Sequence, residues 1–315
     1  MNKIILAGAA AAGLVAEMAV HGYMDIMAKP MKVQSVISYF ANKANDKNME
    51  AFHNFTAKKM EWINKCDTEK VSITSQRGDI LRGYLTMAKR RSRVFVFFAH
   101  GYRTDHNGDP ANFMRYYLEK GINFLSVDHV ASGESGGNWV GFNYFEHKDS
   151  LDWIEYLISR FGKDIKIIIH GVSMGGSTIC QMANKVPEQV VFAVADCPYT
   201  NALEEFEYAV KSFGIKYTKV VLNAFNAMNK KFAGFDLNET DVRRAVINSR
   251  VPMLFVHGKK DTFVPTKMGV ELFNLCQNEK ELFLVEHAAH AQSIMYDETG
   301  YHKKLDEWIE KYLKM

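Results

Sequence analysis

Lys166-Ile167-Ile168-Ile169-His170-Gly171-Val172-Ser173-Met174-Gly175-Gly176-Ser177-Thr178-Ile179-Cys180-Gln181-Met182-Ala183 carries an apolar, β-branched run into a helix-compatible one through the pattern G-x-S-x-G. The first part reads as a buried strand and the part after Gly175 as a helix. A serine on so sharp a strand-to-helix turn must take a strained backbone. Glycines two positions to either side remove the side chains that would clash with the turn. The turn lifts the hydroxyl above the sheet edge, and the helix that follows points its N-terminus at any oxyanion forming there. The pattern alone is a weak signal. The strand and the helix around it make it stronger.

Working outward, apolar runs of strand length recur along the chain. Val71-Ser72-Ile73-Thr74 and Ile80-Leu81-Arg82-Gly83-Tyr84-Leu85 flank the turn Gln76-Arg77-Gly78-Asp79 and predict a leading antiparallel hairpin. Val94 to Ala99, Phe124 to Val127, Ile165 to Ile169, Val190 to Ala195, Met253 to Val256 and Leu282 to Val285 follow, alternating with helical stretches such as Phe113 to Glu119. Continuous apolar strands that alternate with helices imply a mostly parallel sheet covered on both faces, an α/β fold. Ligands bind at the carboxyl ends of such strands. One segment breaks the alternation. Between Tyr199 and Arg250 no strand-like run occurs, and Phe206, Tyr208, Phe213, Tyr217, Phe225, Phe232 and Phe235 lie in helical sequence. A stretch this long without a strand reads as a helical cap, inserted after the sixth strand and over the same edge as Ser173.

The residues that follow each strand carry the chemistry. His100-Gly101-Tyr102-Arg103 follows one strand and Ser173 another. His257-Gly258-Lys259-Lys260-Asp261 follows a third, and Glu286-His287-Ala288-Ala289-His290-Ala291 follows the last. A serine hydroxyl needs a base to become a nucleophile, and the base needs a carboxylate to fix its tautomer. Asp261 competes for the acid role with Asp196, which also follows a strand. His290 competes with His287 for the base role. The chain order Ser173, Asp261, His290 is the one expected of an α/β-hydrolase.

Over residues 66–315 the chain resembles that superfamily, and within it the bacterial cinnamoyl/feruloyl-esterase-like carboxylesterases with a helical lid. The resemblance is carried by His100-Gly101-Tyr102, Ser132-Gly133-Glu134-Ser135-Gly136-Gly137, Gly171-Val172-Ser173-Met174-Gly175-Gly176, Asp196-Cys197-Pro198-Tyr199, His257-Gly258-Lys259-Lys260-Asp261 with Val264-Pro265, and His290-Ala291. It implies Ser173 as nucleophile, His290 as base, Asp261 as acid, and the backbone amides of Tyr102 and Met174 as oxyanion-hole donors. It implies hydrolysis of a small-molecule carboxylic ester, with no organic cofactor and no metal. A peptidase or thioesterase using the same residues is the alternative, and a non-catalytic receptor of the same fold is a further one. The chain departs from the pattern at Asp128-His129-Val130-Ala131-Ser132-Gly133, where relatives often carry arginine and histidine before the G-x-S.

Composition sets the outer bounds. A chain of 315 residues, 47% hydrophobic and 24% charged, can bury a sizeable core. A net charge of +3 gives no reason to expect nucleic acid, and Lys89-Arg90-Arg91-Ser92-Arg93 reads as a solvated turn. Cys66, Cys180, Cys197 and Cys276 show neither metal-ligand spacing nor a disulfide framework. His287 and His290 lack a third ligand that would make them a metal pair. At the N-terminus, residues 4–20 are apolar apart from Glu17. The run is short for a membrane span of about 20 residues and suits an uncleaved anchor or a signal-like segment. Residues 1–28 are thus expected to be an anchor separable from the catalytic body, 29–65 a helical extension, and 66–315 the hydrolase domain with its cap near 200–250. Location is expected to be membrane-associated or extracytoplasmic, with the cytoplasm as the alternative.

Overall fold

The computed structural model describes residues 20–29, 47–212, 214 and 216–315. Its strands are β1 (Thr68–Thr74), β2 (Ile80–Thr86), β3 (Val94–Ala99), β4 (Asn123–Asp128), β5 (Lys166–Val172), β6 (Val190–Asp196), β7 (Met253–Gly258) and β8 (Lys280–Val285). They form one 8-stranded sheet in the order β1-β2-β4-β3-β5-β6-β7-β8. β1 and β2 pair antiparallel, as do β2 and β4, and every later pairing is parallel.

Alternation along the strands divides the core into two layers. Phe95, Phe97, Leu125, Ile167, Ile169, Ala193 and Phe255 face Trp153, Leu157 and Ile179. Val96, Phe98, Phe124, Ile168, Phe192, Val194 and Leu254 face Phe113, Tyr117, Tyr301 and Trp308. A sheet buried on both faces needs apolar residues at consecutive positions, which is why these strands read as unbroken runs.

Register places the functional edge. Ala99 pairs with Gly171, Val172 with Asp196, Asp196 with Val256, and Gly258 with Val285. The carboxyl ends of β3, β5, β6, β7 and β8 therefore align, and the loops after them leave from one edge. After β6 the chain becomes helical at Ala202–Ser212 and Thr218–Phe232, then at the short turn Leu237–Thr240 and at Arg243–Ile247, before β7 begins. These helices pack by aromatic contact. Phe206 meets Phe142 at 4.9 Å and Phe225 at 5.3 Å, and Phe235 stacks on Tyr144 at 4.4 Å between ring centres.

At the N-terminal side, Lys47–Ile63 is helical, and its Phe55, Met60 and Trp62 pack against the second core layer. Apart from Val20, the apolar run 4–20 lies outside the described residues. Residue 28 is not a boundary of packing, contrary to expectation. Residues 20–27 are helical, Tyr23 and Met27 are fully buried, and Ala28 bridges to Trp139. The pattern of polar and apolar residues set that boundary. The partners that bury Tyr23 and Met27 lie far along the chain and leave no local trace.

Candidate active site

Ser173 sits where β5 turns into the helix Met174–Met182, with φ 57° and ψ −117°. Its amide donates to the Asp196 carbonyl at 2.8 Å, which fixes the turn against β6. Left-handed backbone at a non-glycine residue costs about 1–3 kcal/mol. The flanking glycines are required by contact. A Cβ on Gly171 would stand 2.3 Å from the Gly175 carbonyl oxygen, and one on Gly175 would stand 2.0 Å from that of Ala99.

The structure brings Ser173, His290 and Asp261 into one hydrogen-bonded chain. His290 Nε2 lies 2.8 Å from Ser173 Oγ, and His290 Nδ1 lies 2.7 Å from Asp261 Oδ2. A carboxylate can only accept, so Nδ1 carries the proton. In the neutral ring Nε2 is then left to accept from the serine hydroxyl. Asp261 is itself held, because its Oδ1 accepts from the amides of Phe263 at 3.0 Å and Val264 at 2.9 Å. His257 Nε2 lies 3.2 Å from Asp261 Oδ2 and 3.0 Å from the Val264 carbonyl. Both neighbours are acceptors, so that nitrogen also bears its proton. Burial alone would raise the Asp261 carboxyl. The charge of His290 and the hydrogen bonds of His257 and His290 outweigh it and hold the group at about 2. For His290, burial would lower the imidazolium, but Asp261 prevails and raises it well above its ordinary value.

The rival residues are placed elsewhere. Asp196 is fully buried, and its carboxylate accepts from Tyr301 Oη at 3.1 Å; His170 and then Tyr117 continue that line into the core. Burial pushes the Asp196 carboxyl up to about 7. His287 is exposed. His100 is fully buried, with Nδ1 on the Gly101 carbonyl at 2.7 Å and Nε2 accepting from the His129 amide at 3.1 Å. It shapes the loop after β3. Tyr102 and Met174 flank the serine from that loop and from the helix start. The loop hydrogen bonds of the described chain include none donated by either amide. At the departure loop, Asp128 accepts from the amides of His106 and Glu134, at 2.9 and 2.8 Å, and from His106 Nδ1. Its carboxylate is used to fold that loop. All four cysteines are free thiols.

Sequence reasoning missed three residues here. Asp109 Oδ2 accepts from the Gly101 amide at 2.7 Å and so sets the loop that carries Tyr102. Cys197 shares a 4.8 Å neighbourhood with the functional atoms of Asp261 and His290. Burial pushes its thiol up to about 12, so it stays protonated beside His290. Glu205, on the helix Ala202–Ser212, is buried, and among the described residues neither of its carboxylate oxygens has a partner. Burial pushes its carboxyl up to about 8, against the opposing charge of His290. The available signal was an acid between Ala202 and Phe206, two positions of that helix that join an apolar cluster.

Residues 111–315 match the prolyl oligopeptidase family. The chain belongs to that family. As a prolyl oligopeptidase-family protein it is a serine hydrolase of the α/β-hydrolase superfamily. The family chain is 24% identical to the protein YqkD of Bacillus subtilis over 98% of each sequence. It is similar in structure to the esterase Pf2001 of Pyrococcus furiosus, with TM-score 0.64 and 20% identity, covering 78% of this chain and 91% of the other. It also shares its fold with the acylaminoacyl peptidase of Pyrococcus horikoshii, with TM-score 0.60 and 17% identity, over 79% of this chain and 42% of that one.

Proposed function

We propose that this protein hydrolyses carboxylic esters of small or medium acyl groups through an acyl-enzyme on Ser173. The observation that carries the reading is the unbroken chain from Ser173 Oγ through His290 to Asp261, at 2.8 and 2.7 Å. His290 Nε2 takes the hydroxyl proton as Oγ attacks the carbonyl carbon, and returns it to the leaving alcohol. Asp261 holds the ring and stabilises the imidazolium. The amides of Tyr102 and Met174 hold the oxyanion. Water then repeats the sequence on the acyl-enzyme. The strain at Ser173, about 1–3 kcal/mol, is small beside the gain it enables. Four to six decades of rate correspond to roughly 5–8 kcal/mol.

The acyl preference rests on the roof. Met174 shares an apolar cluster with Phe142, Tyr199 and Phe235, and Phe206 and Phe225 pack against it. A helical cap of this kind favours apolar acyl groups and keeps water from the oxyanion until the alcohol has left. A peptidase stands second, because the family takes its name from oligopeptide cleavage and an acylaminoacyl peptidase shares the fold. A panel of p-nitrophenyl acyl esters, acyl thioesters and aminoacyl anilides separates the readings. The ester reading expects kcat/KM to peak on short to medium esters. Anilides cleaved as fast as esters would favour the peptidase.

The pH profile is a further expected outcome. His290 acts as a base only when neutral, and Asp261 raises its proton affinity. The rate should therefore be lost as pH falls through a value above the ordinary histidine pKa of about 6.5. Initial rates across pH check this, and a plateau continuing down to pH 5 would contradict it.

Residues 4–20 serve in this reading as a membrane tether, on the strength of their apolar run. Among the described residues no helix is long and apolar enough to cross a membrane. A truncation that tests the tether must stop before Val20, since Tyr23 and Met27 are buried in the body.

A further inference from the structure

Residues 20–29 contribute no atom to the Ser173–His290–Asp261 chain, yet they touch three of the parts that surround it. Tyr102 Oη donates to the Ile26 carbonyl at 2.6 Å. The Arg103 guanidinium donates to the Asp25 carbonyl, and Arg103 Nε donates to Tyr102 Oη at 2.8 Å. On another side, the Val140 amide donates to the Met27 carbonyl at 2.7 Å and the Lys29 amide to the Asn138 carbonyl at 2.9 Å. Above, the Tyr23 ring lies 5.2 Å from Phe225 and 5.8 Å from Trp139 and from Phe232. Tyr23 Oη donates to Asn229 Oδ1 at 3.2 Å.

Backbone strain makes the first contact matter. Arg103, directly after Tyr102, has φ 61°. A non-glycine residue stays in that region only when its surroundings hold it there. The side chains on both sides of this bend, Tyr102 and Arg103, end on carbonyls of residues 26 and 25. The direction of the Tyr102 amide depends on the same bend. An oxyanion donor works only within about 2.7–3.1 Å of the developing charge, and a misplacement of about 1 Å can cost about 10²-fold.

We propose that residues 20–29 are a strap built into the hydrolytic site, with Tyr23, Ile26 and Met27 acting as positioning residues that hold the Tyr102 loop and the helix Thr218–Phe232 over Ser173. The proposal rests on the acyl-enzyme reading, because it assigns the strap's effect to the oxyanion step. Three features argue for it over a passive N-terminal packing segment. The strap accepts hydrogen bonds from the loop of the oxyanion donor at two of its carbonyls. Its one fully buried ring is seated in the roof. Its carbonyls at 25 and 26 restrain the strained residue and its neighbour.

The test uses the full chain and a p-nitrophenyl ester, with variants Tyr102→Phe, Tyr23→Ala and Tyr23→Phe. Tyr102→Phe removes only the hydroxyl that meets Ile26 and leaves the ring and the amide. It and Tyr23→Ala should each lower kcat by about 10- to 100-fold, with KM moving by less than about threefold. Tyr23→Phe keeps the ring in the roof and should restore most of the kcat lost in Tyr23→Ala. The acid limb of the pH profile should not move in any of them, because the strap does not touch the His290–Asp261 pair. A cooperative thermal transition checks folding, and if Tyr23→Ala fails to fold, Tyr102→Phe decides alone. Unchanged kcat in folded Tyr102→Phe, or a loss expressed only in KM, overturns the strap. A parent protein that neither turns over esters nor takes a fluorophosphonate on Ser173 overturns the acyl-enzyme reading instead, and the strap proposal with it.

Discussion

Ser173→Ala is expected to lower ester turnover by about 10⁴- to 10⁶-fold and to abolish labelling by a fluorophosphonate. In the proposed mechanism this hydroxyl forms the covalent bond to the acyl carbon. It lies 2.8 Å from a histidine nitrogen that has no proton of its own in the neutral ring. What survives its removal is substrate binding and the oxyanion donors, which support only residual catalysis. Burial pushes the nearby Cys197 thiol up to about 12, so no resting thiolate stands ready in its place. The fold should be untouched, because the turn is set by the Ser173 amide on the Asp196 carbonyl and by the glycines around it. Turnover and labelling measured on parent and variant, with thermal unfolding as control, check the prediction. Labelling that persists in the variant would assign the nucleophile elsewhere.

Asp261→Asn should cost about 10⁴-fold in kcat, and Asp196→Asn far less. An amide at 261 can turn its NH₂ toward His290 Nδ1, which then gives up its proton. The proton moves to Nε2, where the serine needs an acceptor. The carboxylate also raises the proton affinity of the ring. Whatever activity remains in Asp261→Asn should thus have its acid limb displaced downward. Asp196 meets Tyr301 rather than His290 and is buried in a line of core hydrogen bonds, so its substitution should lower the midpoint of thermal unfolding more than kcat. A dead Asp196→Asn beside an active Asp261→Asn would reverse the assignment.

The parts of this site that could be read from the sequence are those set by local rules. The strand runs are legible because a doubly covered sheet demands consecutive apolar residues. The turn at Ser173 is legible because Gly171 and Gly175 are needed by contacts of 2.3 and 2.0 Å that any Cβ would make. Asp261 and His290 could be found because each follows a strand whose carboxyl end the parallel register brings to the Ser173 edge. The rest depends on meetings between distant residues. Tyr23 reaches Asn229, and Ile26 reaches Tyr102, with nothing in either segment to announce the partner. The apolar run 4–20 suggested a separable segment ending near residue 28, a boundary that the packing of Tyr23 and Met27 ignores. Nothing in the local sequence singles out Glu205 or Asp109, because burial of the one and the Gly101 contact of the other arise only in the fold.

Acid quench of the protein during turnover of p-nitrophenyl butyrate, followed by peptide mapping by mass spectrometry, tests the central claim most directly. The account predicts a butyryl group on the peptide that contains Ser173, located on the Ser173 side chain, and none in Ser173→Ala. A butyryl group on Cys197 or on any other residue, or product formed in a burst with no acylated peptide at all, would contradict it.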